Sequence, residues 1–234
     1  MTLSRIAPAP SLAETVAARI REAILAGTFR LGEKITDDRL VEQLGVSRTP
    51  IRDAMAILAH EGLVVVRPKR GSFVFETSPE DIAAICTYRE ILEVQAVRLA
   101  LDVARAAYLK ELGRIVEDLD SALGQDDAVR YGQLDTEFHN AAFRHCDNSY
   151  LRDANGLVAG RIAALRTNIT APYADRRVES MAEHRAMLDM LKTGNWTGFR
   201  AAIATHIGRT EIVYSKALSD GHLGTRPASD RKQR

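Results

Sequence analysis

Between Thr36 and Val64 two short helical patterns meet at Gly45-Val46. In the second, Ile51, Ala54, Met55 and Leu58 follow the i, i+3, i+4, i+7 rule and predict one buried stripe. Ser47 is expected to cap this helix by accepting from the exposed backbone N–H groups of its first turn. Pro50 falls in that turn, where the helix needs no donor. Arg48, Thr49 and Arg52 lie off the stripe, near the N-terminal end. An apolar back with cationic and hydroxyl side chains at the leading end is what a helix needs to enter a major groove. An ordinary helical hairpin with solvated arginines fits the same spacing.

The continuation favours the first reading. Leu63-Val64-Val65-Val66-Arg67 and Ser72-Phe73-Val74-Phe75 are two β-rich runs joined by Pro68-Lys69-Arg70-Gly71. Such runs around a short Pro/Gly turn predict a hairpin, with Lys69 and Arg70 beside its tip. A helix-turn-helix followed by a basic-tipped hairpin is a winged helix. DNA binding is the expected activity.

Charge does not come from bulk composition. The 234 residues carry a formal net charge of +1, with eleven Lys and Arg against nine Asp and Glu in residues 1–78. DNA contact must therefore rest on local placement of arginines. At 46% hydrophobic content the chain can fill two modest cores. Cys86 and Cys146 form neither a disulfide framework nor a close metal-binding pair, and are expected to be buried reduced thiols. Without a membrane-length apolar run or a secretory h-region, a soluble cytoplasmic protein is expected.

Ahead of the paired helices, residues 1–10, with Pro8 and Pro10, are expected to form a flexible arm. Ser11-Leu-Ala-Glu14 is a capping-box pattern that opens a helix carrying Val16, Ile20 and Ile24 and ending at Gly27. Residues 29–35 suggest a turn or short strand, and Thr36 the cap of the next helix. Arg39, just inside that helix, either reaches a phosphate or base or is a solvated surface arginine.

Leu44-Gly-Val-Ser-Arg-Thr-Pro-Ile-Arg-Asp-Ala54, Leu58-Ala-His-Glu-Gly-Leu-Val64 and Arg70-Gly71 closely resemble the winged-helix domain of the GntR family of bacterial transcription regulators, over about residues 11–76. The resemblance implies that Arg39, Ser47, Arg48, Thr49 and Arg52 touch operator DNA. Lys69, Arg70 and Gly71 would sit at the wing tip, on the minor groove or the backbone. Glu42 stands where the family commonly has a small residue, and is expected to face solvent.

From Ser78 onward long amphipathic helices replace strands. Ser78-Pro79-Glu-Asp81 is a capped start with Pro at the first position and an acidic first turn. The helix is expected to reach about residue 106, with Ile82, Ile85, Leu92, Ala96, Leu99 and Val103 on one face. Arg89 lies in the middle of that face. It cannot lose its charge, so it needs Glu93 or an anionic ligand as partner. Further helices are expected at residues 109–123, 128–145, 149–167, 175–192 and 196–218. Asn168-Ile-Thr-Ala-Pro172 is read as a break, and residues 219–234 as a disordered basic tail. The domains are thus 1–76, 77–218 and the tail.

Three of these helices carry histidines beside apolar stripes. Asp135 and His139, four apart, project from one side of a helix next to Tyr131, Phe138 and Ala142. His184 sits with Met181, Met187, Leu188 and Leu191, and His206 with Ile203, Ile207 and Thr210. One carboxylate and three imidazoles match a zinc, nickel, manganese or iron site, with zinc first. Singly, each histidine also fits a hydrogen-bonded core residue.

Arg89-Glu-Ile-Leu-Glu93, Leu134-Asp-Thr-Glu-Phe-His139, Glu183-His184-Arg185 and Thr205-His206-Ile207 resemble signature positions of the all-helical FCD-type effector domain of the FadR subfamily of GntR regulators, over about residues 79–218. The resemblance implies that Asp135, His139, His184 and His206 bind one divalent metal and that Arg89 clamps a ligand carboxylate in the same cavity. His145 departs from the small residue common at its position; with His60 and His222 it is read as surface or structural. A four-ligand octahedral metal keeps two positions for a hydroxy or keto carboxylate, which Arg89 would hold by a fork.

The expected fold is therefore mainly α: a winged helix-turn-helix followed by an antiparallel helical bundle. The expected function is ligand-responsive DNA binding, as a repressor, by a homodimer on a palindromic operator, with a small carboxylate effector. One rival is a metal-dependent hydrolase in which the Asp-His cluster activates water, although no separate general base is in view. Another keeps the DNA-binding half and leaves the helical half as a dimerisation module.

Overall fold

The computed structural model describes residues 11–170 and 174–220, with side chains omitted at 168–170. The expected arm at 1–10, residue His222 and the tail from residue 221 onward lie outside the described residues. The chain divides into two units, Met1–Phe75 and Glu76–Arg234. No helix among the described residues is long and apolar enough to cross a membrane.

In the first unit, α1 (Leu12–Leu25) begins at a complete capping box. The Glu14 N–H donates to Ser11 Oγ at 3.2 Å and the Ser11 N–H donates to Glu14 Oε2 at 2.6 Å. Its buried line of Val16, Ala17, Ile20 and Ile24 packs on α3 (Arg48–His60), which buries the expected Ile51, Ala54, Met55 and Leu58. Arg21 forks onto Glu61 through Nε and Nη2, at 2.8 and 2.5 Å, and ties the same two helices together at their rim. Between them α2 (Asp37–Leu44) starts on Thr36, whose side chain accepts from the Arg39 N–H. Gly45 ends α2 at φ 66, where the absence of a Cβ removes the penalty of the left-handed region.

The short run before Thr36 becomes β1 (Lys34–Ile35). With β2 (Val64–Arg67) and β3 (Gly71–Val74) it forms an antiparallel sheet in the order β1-β3-β2, with Arg67 opposite Gly71 at the hairpin end. Gly71 has φ 102, in the region that favours glycine; a Cβ there would stand 3.2 Å from Lys34 Cε, an exposed and flexible chain that can yield.

The second unit is helical. α4 (Pro79–Gly124) is capped by Ser78, whose side chain accepts from the Asp81 N–H. Ala104 is not helical (φ −144, ψ 32) and kinks this element into two helices, as expected, close to the boundary expected near residue 106. Its buried line differs from the apolar wheel. Ile82 and Ala96 are buried as expected, but Ile85, Leu92 and Leu99 are half-buried and Val103 is 58% exposed. The buried positions instead run through Cys86, Arg89, Glu93, Val97 and Ala100. Arg89, expected in the middle of this face, is buried with Glu93 as its partner, so an ion pair takes positions that apolarity alone would give to hydrophobic side chains.

α5 (Ala128–His145) packs along α4 and carries Tyr131, Asp135, Phe138 and His139 inward. α6 (Ser149–Thr170) lies against α5 and continues through residues 168–170, where a break was expected; residues 171–173 lie outside the described part. α7 (Ala174–Thr193) and α8 (Trp196–Ser219) pack on each other and on α4, burying His184 and His206. Cys86 and Cys146 are buried free thiols.

Candidate nucleic-acid interface and metal centre

Arg48, Thr49 and Arg52 are exposed at the head of α3, and Lys69, Arg70 and Gly71 are exposed at the wing tip. Ser47 is the N-cap by position, but its side chain makes no capping hydrogen bond. One of the two donors that such a cap could meet is missing. A capping oxygen accepts from the second or third helical N–H, and the third residue is Pro50, which has none. The three arginines of α2 and α3 are each held by an acid of their own unit. Arg48 Nη2 donates to Asp38 at 2.5 Å and Arg52 Nε donates to Asp37 at 3.3 Å. Arg39 Nη1 donates to Glu33 at 2.7 Å and its guanidinium lies 4.6 Å from the centre of the Phe29 ring. Glu42 faces solvent.

In the helical unit α5, α7 and α8 bring Asp135, His139, His184 and His206 together. One donor atom from each lies within 4.8 Å of all the others, and all four residues are buried. Carboxylates behind two of the imidazoles set their ring orientation. Glu93 Oε2 is 2.7 Å from His139 Nδ1, and Glu183 Oε2 is 2.6 Å from His206 Nδ1. Each Nδ1 is therefore the donor to its carboxylate, which in a neutral ring leaves a lone pair on Nε2. Those two Nε2 atoms stand only 3.2 Å apart. Two lone pairs at that distance repel unless a proton or a cation lies between them. With zinc–nitrogen bonds of about 2.0–2.1 Å, neighbouring ligand nitrogens fall about 2.9–3.4 Å apart. The spacing fits a metal ion.

His184 points the same way. It is fully buried, its Nδ1 and Nε2 have no hydrogen-bond partner, and Nε2 stands 3.4 Å from Asp135 Oδ1. Burial pushes His184 down to about 3, so the ring is neutral and its nitrogen free to ligate at neutral pH. Burial likewise takes His139 well below its usual range, with Arg89 and Arg166 adding to the effect. Asp135 goes the other way on balance. Burial raises its pKa, but Arg166 and then the imidazoles outweigh burial and keep the carboxylate ionised. The donor set is thus one anionic oxygen, from Asp135, and three imidazole nitrogens.

Arg89 is 2% exposed and its Nε donates to Glu93, so the carboxylate alternative for its partner is the one present. Only its Nη2 is buried without a hydrogen-bond partner. A cavity of about 70 Å³ opens beside the cluster, lined among others by Asp135, Arg166, His206, Arg209 and Tyr214; Arg89 is outside that lining. His145 is half-buried, with Nε2 2.5 Å from Glu111, and His60 is exposed in α3.

Sequence reasoning missed Arg166, whose Nε pairs with Asp135, and the carboxylate of Glu183, which also pairs with Arg209. Signals existed for both. Arg166 falls on the buried side of α6 with Ile162 and Leu165, and Glu183 directly precedes a candidate ligand.

Residues 12–74 match the gntR family of bacterial regulatory proteins, and residues 84–209 match the FCD domain. The HTH-type transcriptional regulator YdhC of Bacillus subtilis is 29% identical over 206 residues, covering 87% of this chain and 91% of that protein. The gluconate operon transcriptional repressor of the same organism is 27% identical over 137 residues, covering 58% and 56% of the two chains. The solved structure of Escherichia coli McbR/YncC has the same fold, with a TM-score of 0.79 at 22% identity, covering 90% of this chain and all of that one (100%). The family and these relatives are transcription regulators, not enzymes. The chain belongs to the GntR family of DNA-binding transcription regulators, with an FCD domain as its helical half.

Proposed function

We propose that the protein is a repressor that senses a small organic acid through a divalent metal held by Asp135, His139, His184 and His206. The observation that carries this reading is the pair of facing Nε2 atoms on His139 and His206, 3.2 Å apart, each ring oriented by its own carboxylate. Zinc suits three imidazoles and one carboxylate, and the same donors accept nickel, manganese or iron. When bound, such an ion supplies a Lewis-acidic centre for carboxylate oxygens.

The chain's own groups prepare that centre. Glu93 and Glu183 orient two ligands and Arg166 fixes the third through Asp135, so little reorganisation is left for binding. The acid enters by the cavity lined by Arg166 and Arg209. Arg89, committed to Glu93 and outside that lining, keeps one unpaired guanidinium nitrogen, Nη2, rather than the full fork expected from sequence.

On the DNA side, Arg39, Ser47, Arg48, Thr49 and Arg52 read or anchor the operator, and Lys69, Arg70 and Gly71 contact it from the wing. One such module reads few bases, so the working unit is a homodimer on a palindrome. The gluconate operon repressor among the relatives supports the repressor reading. An effector acts by binding the DNA-competent and DNA-incompetent states unequally, by about 1–3 kcal/mol for ordinary coupling.

Metal analysis of protein purified without a histidine tag, followed by a thermal-shift screen of organic acids with and without chelator, tests the reading. About one metal per chain is expected, with an acid that raises Tm only in the loaded form. Metal-free protein that takes up no zinc, nickel or manganese would leave the helical half as a plain dimerisation module.

A further inference from the structure

The acids that hold the arginines of the DNA-facing helix come from one place. Asp37 and Asp38 are the first two residues of α2, and they engage Arg52 and Arg48 of α3. Their presence in the first turn of a helix has an ordinary benefit, since negative charge there offsets the helix dipole. The cross-helix pairing is a second, separate feature. Each acid takes one guanidinium nitrogen, Nη2 of Arg48 and Nε of Arg52. The remaining N–H groups of each fork stay available for the edge of a guanine.

A phosphate and a guanine edge are affected differently by this arrangement. A phosphate recognises positive charge, and a guanidinium already beside a carboxylate offers less of it. Counterion release falls in step, because a neutralised cation displaces fewer ions from the duplex. A guanine edge recognises donors in a fixed plane, which the carboxylate leaves open and helps to orient. We propose that Asp37 and Asp38 are specificity-determining residues: they mask Arg48 and Arg52 from the phosphates of arbitrary DNA while leaving both arginines able to read the operator. This rests on Arg48 and Arg52 being the arginines that face DNA.

The test uses the full-length protein and two duplexes, one selected by the wild-type protein from a random pool and one scrambled version of equal length and composition. Asp37→Asn with Asp38→Asn is compared with wild type across a salt series. Glu42→Gln removes charge from the same helix at a residue that pairs with no cation among the described residues. The double variant is expected to bind the scrambled duplex about three- to tenfold more tightly, on the scale of two exposed ion pairs. Its salt slope should steepen by about one to two. Affinity for the selected duplex should rise less, so discrimination falls.

A double variant that tightens on both duplexes by one common factor, with Glu42→Gln doing the same per charge removed, overturns the inference and leaves a plain net-charge effect. A thermal midpoint recorded for every variant separates loss of folded α2 from loss of masking, and weaker binding by a fully folded double variant also overturns it. Arg48→Ala and Arg52→Ala distinguish the two readings. If they weaken the selected complex while the aspartate variants change nothing, the masking inference alone fails. If they leave binding unchanged, the interface assignment fails with it.

Discussion

His139 and His206 face each other through Nε2 at 3.2 Å, and behind each ring a carboxylate, Glu93 or Glu183, holds Nδ1. Neither ring can turn its Nδ1 proton inward without giving up its hydrogen bond to a carboxylate, buried for His139 and part-buried for His206. Two lone pairs facing each other at that distance repel, and the proposed metal ion would relieve that repulsion.

Removal of that cation should lower stability. Chelator treatment of the metal-loaded protein is expected to reduce Tm by several degrees, because a ligand bound only by the folded state stabilises it by about 2.7 kcal/mol at a hundredfold excess over Kd. His206→Ala should abolish the difference between chelated and loaded protein. Calorimetric scans of the four samples measure both effects.

Glu93 is expected to be the most sensitive carboxylate of the network. It pairs with Arg89 and with His139, and both partners are buried. Glu93→Ala leaves a guanidinium in the core without its carboxylate, a loss of about 3–5 kcal/mol. Glu183→Ala should cost less, since Glu183 is 21% exposed and its partner Arg209 reaches solvent. Denaturant titrations of the two variants should rank in that order.

At the other end of the chain, Arg48→Ala or Arg52→Ala should each cost about 1–3 kcal/mol of operator affinity if the residue reads a guanine. Thermal stability should change little, because the ion pairs lost are exposed. Binding isotherms on the selected duplex check the first statement and thermal scans the second.

The two thiols should be silent in the native protein. Cys86 and Cys146 are 4% and 2% exposed, and burial pushes the Cys86 thiol up to about 11. The thiolate is the reactive form, so a thiol reagent at pH 8 is expected to label neither residue until denaturant is added. Mass spectrometry of labelled samples reads the outcome.

Periodicity carried most of the fold. The stripe on α3 was legible because Ile51, Ala54, Met55 and Leu58 meet an ordinary apolar partner, α1. The line along α4 was legible in part: Arg89 and its partner Glu93 could be read from one helix, but the half-burial of Ile85, Leu92 and Leu99 depends on which neighbouring helices cover them. The same limit applied to Arg166. Its value depends on Asp135, which lies 31 positions away on another helix. Local signals can also mislead: Ser47 has the right residue type for a cap, yet Pro50 removes one donor it was expected to meet.

Fluorescence anisotropy of the selected duplex, titrated with the acid found by thermal shift, tests the central claim most directly. With metal-loaded wild type, the acid should change DNA affinity by about five- to 150-fold. With chelated protein, or with His206→Ala, the same acid should change it by nothing measurable. An identical DNA affinity in every metal and acid condition would contradict the account.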